Sequence, residues 1–383
     1  MKVALIGLKN FGIQHFRPLK RLHEEGVLTF TAACSRSLDN LGEEQDEFYK
    51  KYNIPLYNDY NEMLKEHQLD LVTVSTGIHL HSSMSVDAMA AGANVYCEKP
   101  PAPTVSEVQK MVDASKEYNK LCVIGFNWQA GEQLHFVLDY IFNKKELGRV
   151  LRVNSIMITN RANSYYERTA WAGKINFEGQ VVNDGTINNP FAHHIAMCLQ
   201  MAAKEYGKSA APVSVDADMY HIRDIETEDT TAINIKTDTG IEIHAVTSNA
   251  AEPGTDNRTI KVVCEKGYIE WDSKTTVNIM KDGKLETLTF APAADHQYKT
   301  YKNIIKYLDG DKDTFLYTVE EGIKFTKVIE EAFKDVKVKQ INPENRYILE
   351  IKGNTYQCLK DIYEIALKCY NEDKFYKDLN LNW

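Results

Sequence analysis

The chain has 383 residues, 43% of them hydrophobic and 10% aromatic, and a formal net charge of −9. Such a length exceeds one ordinary core and predicts two domains, and an acidic balance with its lysines interspersed among carboxylates excludes a phosphate-tracking nucleic-acid surface. No apolar run reaches the roughly 20 residues that span a bilayer, no signal-peptide layout opens the chain, and the seven cysteines form no Cys-x-x-Cys pair, so a soluble protein of a reducing, cytoplasmic compartment is expected, with no metal site.

Over the first 126 residues, apolar strands alternate with amphipathic helices. The pattern predicts strands at 2–6, 28–35, 56–57, 70–75, 95–97 and 122–126, and helices at 11–25, 60–67, 82–90 and 106–118. Strands this continuously hydrophobic suit a parallel sheet covered on both faces, and the alternation suits a doubly wound nucleotide-binding domain.

Gly7-Leu8-Lys9-Asn10-Phe11-Gly12 follows the first strand and opens a helix, the context a dinucleotide turn requires. Gly7 makes the tight turn, Gly12 lets helix and strand pack closely, and the helix amino end offers N–H groups to a pyrophosphate. Lys9 stands where the pattern has its central glycine, so its side chain either points away from the pyrophosphate or meets it as a cation. At the end of the second strand, Cys34-Ser35-Arg36-Ser37 replaces the usual ribose-binding acid, with Asp39 the nearest carboxylate. Arg36 either stacks on adenine or pairs with a 2′-phosphate; this leans toward NADP and leaves NAD open. Farther on, Cys97-Glu98-Lys99-Pro100 closes a strand and puts a lysine beside a φ-fixing proline, at the sheet edge where ligands sit.

From about residue 150 the texture becomes β-rich, with runs at 150–158, 213–220, 230–236, 241–248, 259–264, 267–271 and 277–280. Turn signals such as Asp238-Thr239-Gly240 and Lys281-Asp282-Gly283 separate them and predict an antiparallel sheet. Helices are expected at 190–201, 296–308, 319–333 and 356–370. The fold class is therefore α/β: an N-terminal Rossmann domain with a doubly wound parallel sheet, then a C-terminal α+β domain with a large, mostly antiparallel open sheet. The expected segments are 1–126 for the nucleotide, 127–338 for substrate and oligomerisation, and 339–383 as a helical tail packing on the body.

Four pieces in order carry a family resemblance: the Gly7–Gly12 turn, Thr76-Gly77-Ile78-His79-Leu80-His81, Ala90-Ala91-Gly92-Ala93-Asn94-Val95-Tyr96-Cys97-Glu98-Lys99-Pro100, and the segment from Asp184 to His194. Together they resemble the glucose-fructose oxidoreductase, inositol dehydrogenase and rhizopine catabolism (Gfo/Idh/MocA) family, over about residues 1–335. The resemblance implies NAD or NADP as cofactor, held by Gly7, Lys9, Asn10, Phe11, Gly12, Ser35, Arg36, Thr76, His81 and Glu98. Gly77 and Ile78 stand where the family usually has Pro and Asn. Lys99 matches the lysine that hydrogen-bonds the reacting oxygen, with Glu98 positioning it. Asp184 and His193 match the family's Asp and catalytic His, and His194 is the rival for the second role. Counting four residues from Asp184 reaches Asn188, which cannot take a proton.

Oxidation of a secondary alcohol needs a hydride acceptor, a base for the hydroxyl proton and a cation for the developing oxyanion. The glycine turn, His193 and Lys99 supply these, while Asp184 orients the histidine or binds a neighbouring hydroxyl. Asn188, Asn189 and His194 suit a polyol by their hydrogen bonding, and Trp128, Tyr165, Tyr166 and Trp171 offer flat walls for a sugar. Phe126-Asn127-Trp128-Gln129 lies where many relatives carry an aromatic and an arginine, and the missing arginine argues against a substrate recognised there by a carboxylate or phosphate. The expected substrate is a neutral sugar, glycoside or inositol, and the expected assembly a homo-oligomer that covers the open sheet. Two alternatives stay open: a redox-neutral, NAD-dependent glycosidase acting by transient oxidation and elimination, and a non-catalytic nucleotide-binding protein.

Overall fold

The computed structural model describes residues 1–292, 294–335 and 337–383. The chain begins β1 (Lys2–Ile6), α1 (Gly12–Glu24), β2 (Thr29–Cys34), α2 (Glu43–Lys51), β3 (Leu56–Tyr57), α3 (Tyr60–Glu66), β4 (Leu71–Val74) and α4 (Ile78–Ala90). There follow β5 (Asn94–Cys97), α5 (Val105–Glu117), β6 (Cys122–Ile124), α6 (Glu132–Asp139), β7 (Val150–Ile158) and α7 (Asn163–Tyr166). After them come β8 (Asn176–Phe177), β9 (Gln180–Val181), α8 (Ala192–Met201), β10 (Pro212–His221), β11 (Thr230–Thr237) and β12 (Glu242–Ser248). Strands β13 (Asn257–Cys264), β14 (Gly267–Trp271), β15 (Thr276–Lys281) and β16 (Lys284–Thr289) lead to α9 (His296–Leu308) and α10 (Val319–Lys334). The chain closes with β17 (Lys339–Gln340), β18 (Arg346–Ile351), β19 (Asn354–Leu359) and α11 (Ile362–Glu372).

Two compact units result, Met1–Ala130 with Ala294–Thr326, and Gly131–Ala293 with Lys327–Trp383. In the first, six parallel strands stand in the order β3-β2-β1-β4-β5-β6. Leu71, Val72, Thr73 and Val74 of β4 are all fully buried, as a strand covered on both faces requires. The strand order reverses between β1 and β4, so the turns leaving β1, β4 and β5 open on one carboxyl edge at the switch point. Helix α9 belongs here rather than with the sheet that precedes it, because Tyr301 and Ile304 are buried in the same core as Val3, Phe16 and Tyr96.

The second unit holds nine strands in the order β16-β15-β14-β13-β7-β12-β11-β10-β17. Only the β7–β12 and β10–β17 pairs are parallel; the remaining pairs are antiparallel. Successive strand residues face opposite ways, and two helices use both faces of β7. Ser155 accepts or donates at 2.8 Å to His194 of α8, whereas Asn154 donates to the Tyr370 carbonyl of α11 (3.3 Å) and to Asp373 (2.6 Å). The tail therefore covers one face of the sheet in cis. Its expected helix over 356–370 is corrected: residues 354–359 pair with β18 as a hairpin, and Asp361, at φ +52°, stands between that hairpin and α11. Among the described residues no helix is long and apolar enough to cross a membrane.

Candidate functional site

The turn after β1 is built for closeness. A Cβ at Gly7, where φ is +93°, would lie 2.0 Å from the Ser75 carbonyl oxygen, and one at Gly12 would lie 2.1 Å from the Gly7 carbonyl oxygen. Gly12 N–H donates to the Lys9 carbonyl at 2.9 Å, and Asn10 takes φ +52° to complete the turn. Asn10 and Phe11 are exposed, and the first turn of α1 carries no acid to oppose an incoming anion. A nucleotide pyrophosphate fits this arrangement.

Lys9 does not point into the turn. Its Nζ donates to Ser37 Oγ at 3.2 Å, just past β2. There the backbone is fixed by Asn58, whose Nδ2 donates to the carbonyls of Ser35 (3.2 Å) and Arg36 (3.3 Å). The Arg36 side chain is exposed.

After β5, Glu98 is 5% exposed and fully engaged. Its Oε1 accepts from His15 Nε2 (2.9 Å) and Gln297 Nε2 (3.1 Å), and its Oε2 from the backbone N–H of Lys99 (3.0 Å). Burial pushes this carboxyl's pKa up, but the His15 hydrogen bond and the charges of His15 and Lys99 outweigh burial and leave it below the usual range. His15 Nδ1 lies 2.9 Å from the Tyr301 hydroxyl, itself 2.9 Å from Thr73 Oγ1. Gly125 makes room, since a Cβ there would come 2.8 Å from Glu98 Oε1. The backbone carrying Lys99 is thus held by a buried network from α1, β4 and α9. His81 braces the same turn: its ring spans the carbonyls of Thr76 (3.2 Å) and Pro100 (2.8 Å), and burial lowers its pKa. Sequence reasoning missed Gln297 and Tyr301, which come from far along the chain.

In the second unit, the segment before α8 carries Asp184, Asn188 and Asn189, and His193 follows in the first turn of that helix. Asp184 Oδ1 and Oδ2 accept from Arg168 Nη2 at 2.8 and 2.6 Å, Oδ2 also from the Gly173 N–H (2.9 Å), and Oδ1 from Asn189 Nδ2 (2.8 Å). Asp184 is therefore an organiser of the loop, and Arg168, which no sequence motif marks, is its main partner. The Arg168 guanidinium lies over Tyr165 (4.0 Å) and near Trp171 (5.2 Å), so cation and aromatics form one wall. Tyr166 faces Arg223 instead, at 5.0 Å. Asn188 turns inward to the Asn183 carbonyl (3.1 Å) and is 3% exposed. Trp128 lies in a 3-10 turn, Asn127–Ala130, of the first unit, apart in the chain from these aromatics. His193 opens α8, while His194 is fully buried against Ser155 with its pKa driven down to about 3 by burial.

Beneath this loop lies Glu228, also missed in the sequence. It is 0% exposed, accepts the Ile187 N–H at 2.9 Å, and fits only because residue 185 is glycine, whose Cβ would lie 1.9 Å from Glu228 Oε2. Burial raises its pKa from 4.5 to about 8. The folded state therefore holds a proton between pH 4.5 and about 8 that the unfolded chain has released, and stability falls as pH rises through that window. Glu228→Gln is expected to flatten the dependence: thermal denaturation should find the variant more stable than wild type at pH 8, with the gap closing toward pH 5. An unchanged pH slope would refute the assignment.

Among known proteins, residues 1–126 match the family described as "Oxidoreductase family, NAD-binding Rossmann fold", and residues 138–270 match the "GFO/IDH/MocA C-terminal domain". An inositol 2-dehydrogenase of Salmonella typhimurium is 27% identical over 157 residues, 40% of this chain and 45% of that protein. An alpha-N-acetylgalactosaminidase of Shewanella oneidensis is 27% identical over 149 residues, 37% of this chain and 31% of that protein. The matched stretches thus span less than half the length of these relatives. In fold, the chain is similar to the WlbA dehydrogenase of Bordetella pertussis, solved with NADH and UDP-GlcNAcA, at TM-score 0.70 and 19% identity, covering 88% of this chain and 98% of that one.

Proposed function

Because the chain belongs to the Gfo/Idh/MocA oxidoreductase family, matched in both its NAD-binding and C-terminal domains, we propose that it is a dehydrogenase acting on a ring secondary hydroxyl of a neutral sugar, glycoside or inositol. When bound, the nicotinamide supplies the hydride acceptor. Lys99 holds the reacting oxygen and offsets its developing negative charge. His193 takes the hydroxyl proton and returns it in the reverse direction. Asp184 keeps the loop before α8 in shape, and Asn189 presents its amide beside it.

The observation that carries this reading is the Glu98 carboxylate, which is bonded to the Lys99 backbone and locked by His15 and Gln297. The backbone that carries Lys99 is thereby fixed at the carboxyl edge, which supports a role for its ammonium on a bound oxygen. Neutrality of the substrate is supported by Arg168, whose charge is taken up by Asp184. Self-association is part of the proposal: on the sheet face whose centre α11 covers, Lys261, Tyr268 and Met280 of β13–β15 remain half-buried. All seven cysteines are buried and unbridged, which supports a reducing compartment. The test is absorbance at 340 nm with hexoses, inositols and glycosides, each with NAD+ and NADP+. One class should give a rise, which Lys99→Ala should slow by about 10²–10³-fold; no rise with any polyol would refute the dehydrogenase.

A second reading is favoured by the glycosidase relatives, matched over 149 residues. On that reading the ring would pass its hydride transiently to the bound nucleotide, a substituent would leave by elimination, water would add across the resulting double bond, and the hydride would return to the ketone. Release of an aglycone without accumulating NADH or NADPH would establish it.

A further inference from the structure

Resting on the nucleotide-binding reading, we infer that Lys9, Ser37 and Arg36 form a cradle for the 2′-phosphate of NADP, so that the chain selects NADP(H) over NAD(H). Three observations meet at one place. Lys9 occupies the position where dinucleotide turns usually have a glycine, yet its ammonium leaves the pyrophosphate turn and reaches Ser37 Oγ, 3.2 Å away. The backbone of Ser35 and Arg36, beside that serine, is pinned from below by Asn58 Nδ2 and by the Ser35 N–H donating to the Tyr57 carbonyl at 3.0 Å. Arg36 itself is exposed, and among the described residues no carboxylate pairs with it or with Lys9.

The end of β2 is where an acid ordinarily accepts the two ribose hydroxyls of NAD, and Ser35, Arg36 and Ser37 stand there instead. The nearby acids do not fill that role. Asp59 accepts the Asn61 N–H at 2.8 Å as the cap of α3, and Asp39 is exposed two residues farther along the chain than Ser37. A lysine has three donors and no acceptor, and an arginine five donors and none. Two cations and a hydroxyl with no acid are poor partners for a pair of ribose hydroxyls. They are good partners for a phosphate, which carries close to two negative charges at neutral pH and takes the guanidinium fork and the ammonium together. The displaced glycine and the missing acid are then one adaptation: the residue that gives up close approach to the pyrophosphate is the residue that reaches the 2′ position.

Calorimetric titration of the whole chain with NADPH, NADH, adenosine 2′,5′-bisphosphate and 5′-AMP tests this without turnover. NADPH should bind about 10–100-fold more tightly than NADH, the worth of one or two charge-assisted contacts, and the bisphosphate should outbind 5′-AMP by a similar factor. Lys9→Ala and Arg36→Ala should each erase about tenfold or more of that preference, weakening NADPH far more than NADH. Ser37→Asp should reverse the preference, and it decides the matter should either other variant fail to fold. Equal or tighter binding of NADH by wild type overturns the inference and leaves the dehydrogenase standing. A Lys9→Ala variant that weakens both nucleotides alike also overturns it, by returning Lys9 to the pyrophosphate. Failure of every nucleotide to bind removes both the cradle and the reading on which it rests.

Discussion

Replacing His193 with asparagine is expected to lower kcat by about 10²–10⁴-fold, the usual worth of a positioned base, while nucleotide affinity stays within about twofold of wild type. Asparagine keeps hydrogen-bonding capacity at the start of α8 but cannot accept the proton. The neighbouring imidazole cannot substitute: His194 is fully buried, sits 2.8 Å from Ser155, and has its pKa pressed to about 3. Substituting His194 by asparagine should therefore act through folding, lowering the melting temperature without a selective loss of kcat. Steady-state kinetics and dissociation constants on the two variants separate these roles. A His193→Asn enzyme with near-normal kcat would return the base to some other group.

The second large effect concerns stability. Arg223 and Asp229 are 2% and 0% exposed, and Arg223 Nη1 donates to Asp229 Oδ2 at 2.9 Å. Arg223 Nη2 reaches the carbonyls of Arg161 (3.0 Å), Asn249 (3.1 Å) and Gln357 (3.0 Å), tying the aromatic loop, the β12 end and the C-terminal hairpin to one guanidinium. Arg223→Ala leaves Asp229 as an uncompensated buried charge and should cost about 3–5 kcal/mol in urea denaturation. Arg223→Lys should recover little, because a point charge cannot make the forked contacts. The double replacement Arg223→Met with Asp229→Leu should be less harmful than Arg223→Ala alone, since it removes the buried charge with its partner.

Much of this molecule is legible in its sequence because the signals are local. The parallel sheet is announced by strands such as Leu71–Val74, apolar at nearly every position, and the turn by two glycines placed between strand and helix. The antiparallel sheet is punctuated by turns such as Lys281-Asp282-Gly283, where Asp282 and Gly283 both take positive φ. Helix α2, Glu43-Glu44-Gln45-Asp46-Glu47-Phe48-Tyr49-Lys50-Lys51, is hard to see in the sequence because charge dominates it and its core contribution is Phe48 and Tyr49. Strand β19 overlaps the start of the helix expected over 356–370; in fact Tyr347 stands opposite Cys358 and Leu349 opposite Tyr356.

What sequence does not reveal in the site is partnership across long separations. Tyr301 meets His15 across 286 positions and Gln297 meets Glu98 across 199. Arg168, Arg223 and Glu228 look like ordinary charged residues until their burial is seen. Motif position suggests a polar role for Asp184 but not that Arg168, Gly173 and Asn189 already occupy its carboxylate.

The most direct test is the fate of the ring hydrogen. A polyol or glycoside that the protein turns over, by absorbance or by product release, is labelled with deuterium at the carbinol carbon and incubated with NADP+ and with NAD+. A dehydrogenase transfers the label to the nicotinamide in step with the ketone formed, and mass spectrometry should find deuterated reduced nucleotide equal to ketone. Label that stays on the sugar, or returns to it as a substituent is released, would contradict net hydride transfer and give the chemistry to the elimination reading.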